Sequence, residues 1–198
     1  MKFSSREIKD LWFAGLMISL AFAILFSGGY QIFLSFNSVF FAVFLISFFT
    51  AGIGFLLHEM MHKYVAQGYG LLAEFKAFHN MLWLALLFSL FGFIFAAPGA
   101  VFIEGRITKE RNGKISLAGP LTNIVLSTMF LIGLLIWGNE DIWGILFSMG
   151  LSINSLLAAF NMIPAMPFDG AKIIAWNKGI YWITLIVAVG LWISSFFV

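Results

Sequence analysis

The chain has no cysteine. That excludes disulfides and thiolate metal ligands, so any metal ion must be held by histidine and carboxylate. Charge is scarce too. Asp, Glu, Lys and Arg make up 10% of the 198 residues, against roughly 25% in soluble domains. From Leu11 to Leu57 none of the four occurs. The formal net charge of +2 is too small to point to nucleic acid as a partner. There is no internal repeat, no low-complexity tract and no linker to a second domain. What fills the chain is apolar: 62% hydrophobic residues, with 25 Phe and 7 Trp, and a mean hydropathy of +1.01. A soluble domain of this size could not hide that much apolar surface. The composition describes a polytopic membrane protein whose surroundings are the lipid bilayer.

Charge-free runs mark the expected spans. The fold class read from them is an all-α polytopic membrane protein, 1–198 forming a single domain, with about five to six transmembrane helices. The spans are expected at about 11–27, 38–66, 115–137, 142–160 and 180–197, with breaks at Ser27–Gln31 and near Ser35–Ser38. The apolar start preceded by Lys2, Arg6 and Lys9 resembles a signal peptide, and Ala21-Phe22-Ala23 offers a small-x-small site. That site falls inside the apolar run, so an uncleaved first span is expected. Arg106 to Ser116 reads as a polar loop with a turn at Asn112-Gly113.

Segment 77–103 decides the topology. If it spans, Lys and Arg divide five against six between the two sides. If it is re-entrant, all 11 lie on one side. The positive-inside rule then puts the N-terminus in the cytoplasm. A helix over Met81–Phe91 and a Pro98-Gly99 turn between β-prone residues suit a re-entrant β/helix segment. Irregular backbone at that depth is tolerated only against protein or a wet cavity.

Two stretches carry chemistry. His58-Glu59-Met60-Met61-His62 is an H-E-x-x-H pattern. On a helix, residues four apart share a face, so both imidazoles can hold one Zn²⁺. Glu59 is placed to take a proton from a water at the metal. Two histidines and a glutamate at a membrane surface are the plainer reading. The second stretch runs from Asn161 to Gly170, with Pro164 and Pro167 breaking the helix before Asp169. Asp169 could complete a His₂-carboxylate site, and Gly170 could supply a turn with positive φ. Pro-x-Asp-Gly is also a common loop sequence. With 77–103 re-entrant, both stretches lie toward the cytoplasmic face and can meet.

Taken together the motifs resemble the site-2 protease family of intramembrane zinc metalloproteases, in its compact form without an appended PDZ or CBS domain. The family's H-E-x-x-H reads His58 to His62, its N-x-x-P-x-x-P-x-D-G reads Asn161 to Gly170, and its G-P-x-x-N reads Gly119-Pro120-Leu121-Thr122-Asn123. The resemblance covers residues 58–170. It implies one zinc per chain held by His58, His62 and Asp169, with Glu59 as general base. Asn161 would bind the substrate backbone or the oxyanion, supported by Asn123. It also implies a transmembrane protein substrate and β-structure embedded after the first motif. Three positions depart: Met61 where the family often has Gly, and Ala171-Lys172 where it often has Gly-Arg.

Other residues carry two readings. Asn154, seven before Asn161, either lines the same cavity or makes an interhelical hydrogen bond. His79 is a weak further ligand candidate. Lys63 reads as a snorkelling anchor, and Gly52 as a point of close helix packing. The expected function is hydrolysis of peptide bonds within or beside transmembrane segments, in regulated intramembrane proteolysis. The substrate would unwind and pair with a strand edge near 93–103. The alternatives are a non-proteolytic metal-binding carrier or scaffold, and a membrane metalloprotease that cuts soluble peptides.

Overall fold

The computed structural model describes residues 1–34, 38–94 and 98–198. Most of them are helical. Four helices are long and apolar enough to cross a membrane: Ser5–Phe26, Ser38–Gly68, Lys109–Trp137 and Ile142–Asn161. The expected fifth span appears as a shorter apolar helix, Lys178–Ser194. The chain forms two compact units, residues 2–56 with 74–102 and residues 57–73 with 103–198.

In the first unit, α1 (Ser5–Phe26) opens on a capping box between Ser4 and Glu7, so it begins six residues before the charge-free run. Glu7 and Asp10 are buried but put to use. The Phe75 N–H donates to Glu7 Oε1 at 2.9 Å and the Ala77 N–H to Asp10 Oδ2 at 3.1 Å. Residues two apart on a strand present their N–H groups to one edge. The start of α1 thus satisfies one edge of β1 (Leu72–Ala77). Ser38–Gly68 comprises α2 (Ser38–Ser47), a π-helical turn (Phe48–Gly52) and α3 (Ile53–Gly68). Gly52 lies against α1. A Cβ there would stand 2.2 Å from Ser19 Oγ and 3.1 Å from Gly15 O, so it does permit close packing.

Segment 77–103 is not one helix. It holds the end of β1, the 12-residue α4 (His79–Leu90) and most of β2 (Gly99–Glu104). The two strands pair in a two-stranded sheet. Pro98-Gly99 is not a turn between strands but the entry to β2. The Phe78 N–H donates to Pro98 O at 3.0 Å. A Cβ at Gly99 would lie 2.4 Å from the Phe75 ring, so glycine is required by close approach. Residues 95–97 of this segment, and 35–37 at the expected break before α2, lie outside the described residues.

The second unit overturns the expected loop at 106–116. Helix α5 runs Lys109–Trp137, with Thr108 Oγ1 accepting from the Arg111 N–H and Lys114 donating to Glu110 one turn back. Asn112-Gly113 is therefore mid-helix. Gly113 admits the Trp176 side chain, whose Cβ would be 2.4 Å from any Cβ placed there. Helix α6 (Ile142–Asn161) starts at Asp141, whose Oδ1 accepts from the Trp143 and Gly144 N–H groups. It packs on α5 where Gly150 meets the Phe130 ring and Gly133 meets Phe147. Short α7 (Asp169–Trp176) and α8 (Lys178–Ser194) close the unit around Met162, Ile173 and Tyr181. Lys63 is 2% exposed, so it is packed within the protein and does not snorkel.

Candidate metal centre

Helix α3 places His58 and His62 one turn apart, with ring centroids 4.7 Å from each other. The third group comes from 107 residues further on. Helix α6 stops at Asn161 because Pro164 and Pro167 cannot continue it. The chain then starts α7 at Asp169. Gly170 does not take a positive φ, contrary to the expectation from its Asp-Gly context. Its smallness serves packing instead: a Cβ would lie 2.3 Å from Met162 O, so glycine lets α7 start against the end of α6.

Asp169 Oδ2 lies 3.4 Å from His58 Nε2 and 3.0 Å from His62 Nε2. All three residues are buried. Tetrahedral zinc with bonds of about 2.0–2.1 Å separates its donors by about 3.3 Å. The hydrogen bonds fit the same ion. His58 Nδ1 faces Asn123 Oδ1 at 2.5 Å, and His62 Nδ1 faces Ile115 O at 2.8 Å. Both acceptors place the ring proton on Nδ1. Both Nε2 lone pairs then face a carboxylate oxygen, an arrangement a cation resolves. Gly119 completes the cradle. A Cβ there would be 2.5 Å from Nε2 of both rings.

Lys172 Nζ stands 3.5 Å from the other carboxylate oxygen, Asp169 Oδ1. Glu59 follows His58 on α3 and is buried beside it in sequence, at 8% exposure. Asn161, the last residue of α6, is half-buried and donates Nδ2–H to Leu157 O at 2.9 Å.

Asn123 and Asn154 are fully buried. Asn123 Nδ2 donates to Asn154 Oδ1 at 3.0 Å, joining α5 to α6 behind His58. This is the expected interhelical hydrogen bond. His79 lies in the other unit, stacked on Phe13 at 4.9 Å, outside the His58, His62 and Asp169 group. Two contributors escaped the sequence reading, Gly119 as a steric requirement and the carbonyl of Ile115. The G-P-x-x-N pattern held the signal for Gly119. Pro120 lies inside α5 and has no N–H for Ser116 O, the carbonyl next to the Ile115 O that meets His62.

Fold and site define a membrane-associated helical protein with a buried His₂-carboxylate metal centre. Sequence comparison agrees. The chain is 42% identical over 193 residues to the Methanocaldococcus jannaschii protein named "Putative zinc metalloprotease MJ0611", covering 96% of this chain and 94% of that protein. It is 32% identical over 139 residues to "Zinc metalloprotease MJ0392" of the same organism, covering 70% of this chain and 35% of that longer protein. No family model and no solved structure matches the chain. The chain belongs to this family of zinc metalloproteases, and zinc is the metal its donor set fits.

Proposed function

We propose that this metalloprotease is of the site-2 type and hydrolyses peptide bonds within or beside transmembrane segments of other membrane proteins, in regulated intramembrane proteolysis. The observation that carries the reading is the place of the donors. His58 and His62 are buried within Ser38–Gly68, a 31-residue helix apolar enough to cross a membrane.

Zinc bound here supplies Lewis acidity toward a peptide carbonyl and toward water. The protein supplies the rest. Glu59 takes the proton from the attacking water and returns it to the leaving amine. Asn161 has a second amide N–H beyond the one given to Leu157 O, available to a substrate carbonyl or oxyanion. Asp169, with Lys172 Nζ 3.5 Å from its Oδ1, would offer its Oδ2 and its negative charge to the metal.

The N-terminus lies in the cytoplasm, and the metal centre toward that side. Two considerations support this. A re-entrant 77–103 would place all 11 Lys and Arg on one side. It would also let the end of α3 and the start of α7 share a face, in keeping with the short distances among His58, His62 and Asp169. The substrate is an extended stretch of a transmembrane segment, its backbone groups satisfied by strand addition beside β2 (Gly99–Glu104).

The test is purified protein in lipid, given a transmembrane reporter segment and a soluble peptide of the same cleavage sequence. The proposal expects the transmembrane reporter to be cut and Glu59→Ala to abolish the cut. Cleavage of the soluble peptide alone contradicts the intramembrane reading. Cleavage retained by Glu59→Ala contradicts the assigned base. A function untouched by Glu59→Gln while zinc stays bound is the signature of a carrier or scaffold.

A further inference from the structure

Behind His58 lies a line of amides with a fixed direction. Its far end is the backbone carbonyl of Gly150, which can only accept. Asn154 Nδ2 donates to it at 3.0 Å. That commits the Asn154 amide, so its Oδ1 faces the other way and accepts Asn123 Nδ2–H at 3.0 Å. Asn123 is committed in turn, and its Oδ1 is the atom 2.5 Å from His58 Nδ1. An amide oxygen accepts, so the imidazole proton belongs on Nδ1 and the lone pair on Nε2, toward Asp169. Both asparagines are 0% exposed, so no bulk water competes for these bonds.

We propose that Asn154, which touches neither metal nor His58, is a positioning residue that fixes the tautomer of His58 through Asn123. The Asn123 amide alone could rotate and present its NH₂ to the ring. In that orientation Nδ1 would accept, the proton would move to Nε2, and the donor would be blocked. The backbone of α6 prevents the rotation by one carbonyl. His62 needs no such line, because its Nδ1 meets Ile115 O directly. The difference predicts that changes at Asn154 act on His58 alone. This inference rests on His58 being a zinc ligand, and not on proteolysis.

The experiment is ¹⁵N NMR of the imidazoles in chelator-stripped full-length protein in lipid nanodiscs, at a pH where they are neutral, beside zinc titration against a competing chelator. The wild type is expected to show His58 protonated on Nδ1. Asn154→Ala is expected to shift His58, but not His62, toward the Nε2–H form and to weaken zinc binding about 10–100-fold. Asn154→Asp keeps an acceptor for Asn123 Nδ2–H, and is expected to keep the wild-type His58 signal. An Nε2–H His58 in the wild type overturns the proposal without any variant, so a misfolded mutant cannot shelter it. An Asn154→Ala protein with unchanged His58 signal and zinc affinity overturns it as well. Loss of cleavage with an intact tautomer bears on the proposed function instead.

Discussion

At the scale of single residues the centre makes three separable demands: donors, a base, and room. Glu59→Gln keeps the donors and removes the base. It is expected to lower cleavage by about 10²–10⁴-fold with zinc content unchanged, read by metal analysis beside turnover. Gly119→Ala removes only the room, since its Cβ would sit 2.5 Å from Nε2 of both histidines. Alanine favours a helix over glycine by about 1 kcal/mol, so α5 should keep its circular dichroism while the protein loses zinc. The ligands were legible because chemistry restricts them. With no cysteine and three histidines, few donor sets exist, and the i,i+4 spacing selects one pair. Gly119 was less legible. Its importance comes from what α3 brings opposite it, which no local pattern records. Lys63 misled for the same reason: its burial depends on the surrounding protein and not on its own helix.

At the scale of elements, the start of α1 is tied to β1. Glu7 and Asp10 bond to alternate N–H groups, Phe75 and Ala77. Hydrogen bonds to charged groups are worth about 1.5–3 kcal/mol each. The pair Glu7→Ala with Asp10→Ala is therefore expected to speed amide exchange at Phe75 and Ala77, while amides in α6 stay protected. Equal protection in variant and wild type would show that the carboxylates do not hold the strand. The long helices were readable from apolar run length, because lipid demands about 20 such residues. Strand β1 was not. Leu72–Ala77 carries Glu74 and Lys76, so a reading built on absent charge passes over it. The start of α5 failed in the opposite way. Asn112-Gly113 has turn chemistry, but the Thr108 cap and the Glu110–Lys114 pair favour a helix, and Trp176 needs the glycine.

At the scale of the whole molecule, the absence of cysteine gives a clean background for mapping sidedness. Single cysteines at Lys2 and Asn177 are expected to react with a membrane-impermeant thiol reagent from the cytoplasmic side, and those at the exposed Tyr30 and Asn139 from the other. Labelling of Lys2→Cys and Asn177→Cys from opposite sides would break the proposed topology. The account stands on one claim, that residues 58–62 and 169 close on a single ion although 106 residues separate His62 from the carboxylate. Zinc counted per chain in purified wild type beside Asp169→Ala tests it most directly. The account predicts one zinc per wild-type chain and its loss from the variant. Undiminished zinc in Asp169→Ala would contradict it.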